Sequence, residues 1–501
     1  MKILFCIGHD GFIRNFEAPL RSMANRGHDV VLAVSGRRPA LMSETSSIED
    51  LCNRYSGITY TRAPKGRDDD FAPLASSFYG ARDYLRFLTP EYRDANELRA
   101  RGRKFAPAWA QRFADSPLGR SPAATNAASR ALQRLSDAMP LSDEIDEFIR
   151  VQDPDVVLIT PLINFQSAQN ALLRSAMAAG IPTALLVHSW DNLTNKGLIH
   201  HSPDRVLVWN EAQRKEAIEL QGIDPDRVIV TGAQSYDHWF DWESRESRES
   251  FCAKVGLDPS HPYLLYVCSS AFIAPDEQRF VRDWIVGLRS SELPELEDVG
   301  VLVRPHPQLV DQWQEPLDDA NAAIWPQPGT DLAGEESRSD YFESFHHAKG
   351  VVGINTSAFV EAAIMNRPAF TVLTSENRES QEGTLHFNHL ADGGPLIVAR
   401  TPEEHHRQLQ RTLEGEDLDR GASRRFVESF VRPLGPGRPP AEYVVDAVEQ
   451  LAGAPLRRER KTRRWHSAVR RLLEPKAAEM QRARKKERES SKRSKKEQAP
   501  A

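Results

Sequence analysis

The chain has 501 residues, of which 40% are hydrophobic and 27% charged, and a formal net charge of −6. This length and composition are typical of a globular protein with two domains of roughly 200 residues each, and no apolar run approaches the length of a membrane span. The four cysteines are scattered without paired spacing, which argues against a disulfide framework and against a zinc site.

The first predicted element is a buried strand at the N-terminus. The apolar run over residues 3–7 is too short for the core of a signal peptide. It fits a short strand that is followed at once by polar residues. We therefore expect a cytoplasmic protein.

Residues 1–235 alternate short apolar runs with helical patterns. Helices are predicted over 15–26, 166–179 and 211–220. Strands that are apolar throughout and separated by amphipathic helices indicate a parallel sheet covered on both faces. We therefore expect a Rossmann-like, doubly wound α/β domain. Its strands are predicted at 2–8, 29–35, 155–160, 182–188, 205–210 and 227–233.

Residues 64–142 interrupt this alternation with helical patterns rich in Arg and Ala that contain no strand signal. An insertion of this length usually shields a sheet or builds a wall beside the ends of its strands. We expect it to be mostly helical.

A second Rossmann-like domain is predicted over 262–435, after a charged linker near 235–261, and a final helix over 436–453. Two such domains place the carboxyl ends of their strands on either side of a cleft, where open α/β sheets bind ligands. The strands are predicted at 263–270, 300–307, 322–325, 350–355 and 368–373, and the helices at 275–288, 339–347 and 357–365.

Polar residues between a buried strand and a helix form the first candidate site. Asn355, Thr356 and Ser357 open the predicted helix, where free backbone amides and the positive end of the helix dipole favour a phosphate. Glu361 lies one turn further on, where a carboxylate suits a pair of ribose hydroxyls. The alternative is a capped core helix whose Glu361 pairs with an arginine.

Several segments resemble glycosyltransferases of the GT-B fold. They are "NTSAFVEAAIMNRP", the "RPHP" of residues 304–307, and "VWNEAQRKEA" with "GIDPDRVIVTGAQSYD". The resemblance extends over most of residues 1–453 and is nearest to bacterial surface-polysaccharide enzymes and CDP-glycerol glycerophosphotransferases. It implies that Thr356 and Ser357 hold the donor diphosphate and that Glu361 holds the ribose. Such a resemblance implies the fold more strongly than the substrate.

Two further segments of the second domain are predicted to contact the donor. Arg304 and His306, fixed by two prolines at a strand end, suit a pyrophosphate or a departing nucleotide, because leaving-group charge needs a nearby cation or donor. A structural strand-end histidine is the alternative for His306. Ser269 and Ser270 end the first strand of this domain and offer hydroxyls to phosphate or sugar.

On the first domain, His9 and Asp10 follow the first strand at its carboxyl end and are expected to face the cleft. The resemblance implies that a histidine or carboxylate of this loop removes the proton of the acceptor hydroxyl, a task that suits an imidazole. His9, with Asp10 nearby, is the first candidate. The alternative is a histidine that caps the following helix or is solvated.

A second group of candidates follows another strand of the first domain. His188, Trp190 and Asn192 suit a sugar, because hydrogen bonds fix its hydroxyls while an aromatic ring covers its apolar face. Asp191 is the second candidate for the base. Lys196 is interpreted as a solvated lysine, with a phosphate contact as the alternative.

The expected function is that of a metal-independent glycosyltransferase without a cofactor. The donor would be linked to UDP, GDP, TDP or CDP, and the acceptor would be a glycan or a lipid-linked hydroxyl in bacterial surface-polysaccharide or glycoconjugate synthesis. The sequence shows no Asp-x-Asp pair, P-loop or GxSxG motif, and the acidic triplet 68–70 is interpreted as a solvated loop.

Three alternatives to this function stay open. The first is a CDP-glycerol- or ribitol-type polyol-phosphate transferase. The second is a non-hydrolysing nucleotide-sugar epimerase, and the third is a catalytically inactive binding subunit with the same fold.

Residues 456–501 form a basic tail with 18 Lys and Arg against 6 Asp and Glu, whereas the preceding 455 residues carry 47 against 65. Trp465, Val469, Leu472 and Leu473 recur at helical spacing among arginines. This pattern predicts a basic amphipathic helix on an anionic membrane surface, which would place the protein at the inner face of the plasma membrane. A solvated charged helix is the alternative.

The end of the tail, residues 482–501, is predicted to be disordered because it is highly charged and almost free of apolar side chains. No specific nucleic-acid partner is expected, since the tail has no aromatic residue besides Trp465.

Overall fold

The computed structural model describes residues 1–36, 45–330, 334–454 and 464–497. Within them, two all-parallel sheets of seven and six strands are each covered by helices. One sheet with its helices forms the first lobe, and the other forms the second lobe. The predicted α/β class with two Rossmann-like sheets is confirmed.

The first sheet has its N-terminal strand at the centre, where both faces are buried. Its residues Ile3 to Ile7 are apolar and inaccessible to solvent, as expected for a central parallel strand. The strands are β1 Lys2–Ile7, β2 Asp29–Val34, β3 Ile58–Arg62, β4 Val156–Thr160, β5 Thr183–Leu186, β6 Arg205–Val208 and β7 Val228–Val230. Their order across the sheet is β3-β2-β1-β4-β5-β6-β7.

Four helices of the first lobe, α3 to α6, form the insertion. The insertion is therefore helical, as predicted. The 3-10 segments are Asp10–Phe16, Pro90–Tyr92, Pro225–Arg227 and Gln234–Tyr236. The helices are α1 Glu17–Asn25, α2 Thr45–Arg54, α3 Ala72–Arg86, α4 Asn96–Phe105, α5 Ala108–Asp115, α6 Pro122–Ala138, α7 Asp143–Gln152, α8 Gln169–Ala178, α9 Asn192–Asn195 and α10 Glu211–Glu219.

The second sheet repeats the doubly wound arrangement with the order β10-β9-β8-β11-β12-β13. Two helices, α11 Asp237–Phe240 and α12 Arg248–Val255, lie between the two sheets in the chain. The strands are β8 Tyr263–Val267, β9 Gly300–Arg304, β10 Ala322–Ile324, β11 Gly350–Val352, β12 Ala369–Val372 and β13 Leu396–Ala399.

The last two helices of the chain contact the first lobe. The first of them packs on its sheet, and the second contacts its insertion. Short 3-10 segments are Val310–Gln312 and Leu385–Phe387, and Val427–Val431 is a π-helix. The helices are α13 Glu277–Arg289, α14 Pro294–Glu297, α15 Glu335–His346, α16 Ala358–Ile364, α17 Asn388–Ala391, α18 Pro402–Leu413, α19 Ala422–Phe426, α20 Pro440–Gly453 and α21 Arg464–Glu497.

Helix α20 packs on the sheet of the first lobe although it follows the second lobe in the chain. Val444, Val445 and Val448 share one buried cluster with the side chains of β1 and β2. At its exposed side, Arg26 of the first lobe forms an ion pair of 2.8 Å with Asp446. The chain therefore crosses between the lobes twice.

Helix α21 contacts the insertion rather than extending freely. Ala477 is fully buried, and Leu473 and Met480 pack against the cluster formed by α3 and α6. Leu472 lies 79% exposed on another side of the helix. The side that carries Leu473 is thus occupied by protein. No helix in the described ranges is long and apolar enough to cross a membrane.

The helix continues through Glu497, where the sequence predicts disorder from residue 482, so that prediction is wrong for residues 482–497. The helix is already nucleated by its packed N-terminal half, and Lys, Arg and Glu are good helix formers. Residues 498–501 lie outside the described residues.

One buried histidine offers a direct test of the packing in the second lobe. His405 of α18 is 1% exposed, and neither ring nitrogen has a partner among the described residues. Burial lowers its pKa to about 3, so the ring is neutral. We expect His405→Phe to stabilise the fold by about 1–2 kcal/mol, because it removes two unsatisfied polar atoms. The measurement is the midpoint of urea-induced unfolding.

The matched control is His261→Phe, since the side chain of His261 is 42% exposed and surface changes usually alter stability by less than about 0.5 kcal/mol. A lower midpoint for His405→Phe would show that the ring nitrogens are satisfied.

Candidate functional site

The candidate site is the cleft between the two lobes. Trp190, which follows β5, lies edge-on to His386 of the second lobe with ring centroids 4.7 Å apart. Arg101 of α4 lies over the ring of Phe272, with its Cζ 4.3 Å from the ring centre. Phe272 also packs against a buried cluster of the insertion. The insertion therefore forms part of the cleft wall.

A cavity of about 490 Å³ opens beside the start of α1 and is lined in part by Arg14, Glu17 and His238. Arg14 belongs to the 3-10 segment that follows β1. Its charge lowers the pKa of Glu361 on the second lobe. Glu17 pairs with Arg338 of the second lobe at 3.4 Å. The two lobes therefore approach each other at the end of β1.

The β11–α16 turn, residues 353–357, lies at the carboxyl end of β11. Gly353 allows this turn to approach β8, because a Cβ there would lie 2.8 Å from a backbone oxygen of that strand. Thr356 is half-buried and Ser357 is exposed. Their backbone amides donate to no acceptor within the described part of the chain. The turn thus presents two amides and the Ser357 hydroxyl to a ligand, while the Thr356 hydroxyl accepts from the amide of Ala358 at 3.3 Å.

Glu361 lies one turn into α16 and accepts a hydrogen bond of 2.5 Å from the Tyr341 hydroxyl. Burial raises the pKa of Glu361 to about 7, although Tyr341 and the charges of Arg14 and Arg304 act in the opposite direction. Arg304 is buried, donates to the Ser344 hydroxyl at 2.7 Å and covers the Tyr341 ring. Arg304 therefore positions Tyr341 and is not exposed at the cleft surface.

Ser269 connects the end of β8 to the β11–α16 turn. Its amide donates to Glu277 at 2.6 Å, and its hydroxyl accepts from the amide of Asn355 at 3.3 Å. The hydroxyl of Tyr266 also donates to Glu277, at 3.0 Å. Ser269 is fully buried, whereas Ser270 is only half-buried. Of the two serines, Ser270 is the one that a ligand can reach.

The buried carboxyl of Glu277 should make the stability of the wild-type protein depend on pH. Burial raises its pKa from 4.5 to about 7. The folded state therefore holds a proton that the unfolded state has lost, and this contribution to stability falls as the pH rises from about 4.5 to 7. The side chain in Glu277→Gln stays neutral at every pH. We therefore expect its free energy of unfolding, relative to that of wild type, to rise by on the order of 3 kcal/mol between pH 4.5 and pH 8. Urea unfolding at several pH values measures this.

The matched control is Glu336→Gln, because the side chain of Glu336 is 84% exposed. The difference between its free energy of unfolding and that of wild type should be the same at every pH measured. A constant difference for Glu277→Gln as well would contradict a protonated Glu277 in the folded state.

Asn355 fixes a loop of the second lobe instead of facing a ligand. It is buried, and its side-chain amide donates to the carbonyl of Ser380 at 2.6 Å and to the hydroxyl of Thr384 at 3.3 Å. This loop leads directly to His386. Burial lowers the pKa of His386 to about 4. Asn355 thus holds the segment that places a neutral imidazole against the first lobe.

His306 lies half-buried at the end of β9, where the sequence predicts it. Its Nδ1 accepts a hydrogen bond of 3.2 Å from the amide of Gln308. In the neutral imidazole the proton is then on Nε2. His306 can therefore act as a hydrogen-bond donor from the end of this strand.

Three aromatic rings form a row in the segments that follow β1 and β5. His9 stacks on Phe12 with ring centroids 3.8 Å apart, and Phe12 meets the edge of His188 at 4.5 Å. Burial lowers the pKa of His188 to about 3, so this ring is neutral. Asp10 is buried and accepts from the amide of Gly11 at 2.9 Å. Asp10 therefore orders the 3-10 segment beside His9.

Asp191 is held by three side chains of its own loop. One carboxylate oxygen accepts from Ser189 at 2.6 Å and from Asn192 at 3.3 Å, and the other accepts from Asn195 at 2.7 Å. Burial raises the pKa of Asp191, but Lys196 and these hydrogen bonds outweigh it and hold the pKa well below its usual range. Such a carboxylate is a weak base, and its geometry suits an anchor for α9.

Trp190 and Asn192 are also largely enclosed by protein. Trp190 is buried, with its ring against His386. Asn192 is buried and accepts from the amide of His188 at 3.3 Å. Both residues shape the loop after β5, and they leave little surface for direct contact with a sugar.

Five cleft residues are absent from the sequence-based set of site residues. Lys196 is half-buried, so it is not the fully solvated lysine of the sequence-based interpretation. Only the polar run that follows a buried strand could have pointed to it. The others lie in elements whose contact with the cleft depends on packing, and the sequence carries no signal for them. They are Arg14, Arg101, Tyr341 and His386.

Groups of three or more His, Cys, Asp or Glu side chains arranged to hold a metal ion are not found in the described ranges.

No protein-family model matches the sequence, and no curated protein does. The UDP-GlcNAc 2-epimerase of Methanocaldococcus jannaschii, solved with UDP-GlcNAc and UDP, matches with a TM-score of 0.50 at 14% identity, covering 90% of this chain and 99% of that chain. A glycosyltransferase of Rickettsia africae matches with a TM-score of 0.50 at 9% identity, covering 91% and 99%.

Another UDP-N-acetylglucosamine 2-epimerase structure matches with a TM-score of 0.50 at 12% identity, covering 92% of this chain and 98% of that chain. At such identities the similarity concerns the fold alone. Both lobes are included in it, so the chain has a two-domain GT-B-like fold.

Proposed function

We propose that this protein is a metal-independent glycosyltransferase that moves a sugar from a nucleotide-linked donor to a hydroxyl acceptor. The main support is that Arg14 connects the two lobes. It lies in the 3-10 segment that begins directly after His9 on the first lobe, and its charge acts on Glu361 beside the β11–α16 turn of the second lobe.

The second lobe would bind the nucleotide. The amides of Thr356 and Ser357 and the Ser357 hydroxyl are available for the diphosphate, because no residue in the described ranges bonds to them. The Thr356 hydroxyl, which accepts from the amide of Ala358, can still donate to the diphosphate. Glu361 would accept hydrogen bonds from the ribose hydroxyls, as a carboxylate does well. Arg14, from the opposite lobe, would stabilise the negative charge that develops on the leaving diphosphate.

The first lobe would bind and activate the acceptor. In the transfer, the bond between the anomeric carbon and the diphosphate oxygen breaks, and its electron pair leaves with the diphosphate. The acceptor oxygen bonds to the anomeric carbon and gives its proton to the imidazole of His9. The contacts between the lobes exclude water that would otherwise hydrolyse the donor. A glycan or lipid-linked glycan is the proposed acceptor, following the sequence resemblance.

A second candidate is a non-hydrolysing nucleotide-sugar epimerase. It is favoured by the two UDP-N-acetylglucosamine 2-epimerase structures that match over both lobes. Such an enzyme would use the same nucleotide site but no acceptor. In this cleft, however, the Asp191 carboxylate is held by its own loop with a pKa well below the usual range, which makes it a weak base.

The first experiment is a thermal-shift screen with UDP, GDP, TDP and CDP, followed by turnover assays with the corresponding nucleotide sugars. Ligand binding to the folded state raises the melting temperature in proportion to the logarithm of concentration over Kd. We expect one diphosphate to stabilise the protein and its sugar conjugate to be consumed only when an acceptor extract is present.

Consumption of UDP-N-acetylglucosamine alone, with formation of its C2 epimer, would favour the epimerase instead. Binding without turnover of any donor would favour an inactive subunit. If none of the four diphosphates raised the melting temperature, the proposed nucleotide site would be wrong.

A further inference from the structure

Two cations in the cleft have no hydrogen-bond acceptor among the residues that the structure describes. Lys196 directly follows α9, and Arg101 lies on α4 of the insertion. Neither side chain forms a hydrogen bond or ion pair with any residue that the structure describes. Burial lowers the pKa of both groups, and the charge of Asp191 acts against this. Removing a charge from water without a partner is costly.

Both cations are held in place on the cleft wall. Buried Arg86 donates to the carbonyl oxygens of Lys196 and Gly197, each at 2.8 Å, which fixes the backbone at Lys196. The guanidinium of Arg101 lies between two aromatic rings, with its Cζ 4.3 Å from the centre of Phe272 and 5.6 Å from that of Phe165. Their positions are therefore determined by the protein.

The groups around them do not neutralise them. Asp191 is the carboxylate whose charge acts on both cations, and its two oxygens already accept three hydrogen bonds from its own loop. His188 and His386 are neutral, because burial lowers their pKa values to about 3 and about 4. Lys196 and Arg101 thus share the negative charge of one carboxylate, Asp191.

We infer that Lys196 and Arg101 form a subsite for an anionic group, a phosphate or a carboxylate, on the acceptor substrate. The assignment to the acceptor rests on the proposed function. It is supported by position, since Lys196 and Arg101 both lie on the first lobe, whereas the β11–α16 turn and Glu361 lie on the second lobe.

The test is calorimetric titration of the full-length protein at constant ionic strength, with sodium chloride as the balancing salt. The protein is first saturated with the nucleoside diphosphate that stabilises it most. Inorganic phosphate is then titrated in one arm and acetate in the other, which separates the two anion chemistries. We expect one of them to bind wild type, and to bind Lys196→Met and Arg101→Gln at least about tenfold more weakly.

The matched control is Lys215→Met, because Lys215 on α10 has a side chain that is 72% exposed. It should bind the anion as wild type does, and all variants should keep the wild-type Kd for the nucleoside diphosphate. Weaker nucleoside diphosphate binding in Lys196→Met would overturn the inference by placing the cations in the nucleotide site. Absence of anion binding to wild type would overturn it while leaving the nucleotide site intact.

A wild-type measurement avoids any dependence on how the variants fold. Lys196 is labelled with an amine-reactive acetylating reagent, and the extent of labelling is read by peptide mass spectrometry. We expect phosphate or acetate to lower the labelling of Lys196 at least twofold and to leave that of Lys215 unchanged. Equal labelling with and without both anions would contradict the inference. If no nucleoside diphosphate binds at all, only the proposed function fails, and this assay still tests the subsite.

Discussion

We expect His9→Gln to lower kcat by about 10²- to 10⁴-fold, the range in which a positioned general base contributes. The substitution keeps a polar side chain of similar size but removes the group that accepts the proton. Nucleotide affinity should change by less than about twofold, because His9 lies on the lobe opposite the β11–α16 turn. Steady-state turnover of the donor identified by the screen measures the first effect, and calorimetry the second.

The control for this prediction is His261→Gln, which changes a histidine that is 42% exposed in its side chain. It should retain wild-type kcat. If His9→Gln kept more than half of the wild-type kcat, a different group would have to remove the proton. Substitution of His188 would then be the next measurement, since its ring lies in the same row.

Glu361→Ala is expected to weaken nucleoside diphosphate binding by about 3 to 6 kcal/mol, or roughly 10²- to 10⁴-fold. The estimate corresponds to the loss of two hydrogen bonds from ribose hydroxyls to a charged group. Calorimetric titration of the diphosphate measures it. Glu336→Ala is the control, since Glu336 is exposed on the same lobe, and it should bind as wild type does.

Binding at Glu361 should also depend on pH in a defined direction. Burial raises the pKa of Glu361 to about 7 in the free protein. Because the carboxylate form accepts the ribose hydroxyls, affinity should rise with pH between about 6 and 8 and then level off. Glu361→Gln should reduce this dependence to the part that comes from ionisation of the ligand's terminal phosphate. A pH-independent Kd in wild type, or loss of affinity as the pH rises, would contradict the assigned role.

The sequence predicts the central strands well because their residues are buried on both faces and are apolar throughout. Strand β3 at Ile58–Arg62 and strand β13 at Leu396–Ala399 are missing from the prediction. Both are edge strands, and in each only some residues are fully buried. An edge strand has fewer buried positions, so its pattern resembles that of a loop.

The sequence does not indicate what the last two helices pack against. The amphipathic pattern of α20 predicts a helix but does not indicate which sheet it covers, and it packs on the first lobe. In the same way, Leu473 of α21 is compatible with a lipid surface or with protein, and it contacts the insertion. An apolar helix face shows that a partner exists, and only packing identifies the partner.

The sequence by itself determined two doubly wound domains and the polar residues that end their strands, because both follow from local patterns of hydrophobicity. Tertiary structure decided which of those residues remain available to a ligand. Arg304 and Ser269 are occupied by protein partners, whereas Lys196 and Arg101 have no hydrogen-bond or ion-pair partner in the described ranges. The physical reason is that burial and hydrogen bonding depend on neighbours from distant parts of the chain. No local pattern records those neighbours.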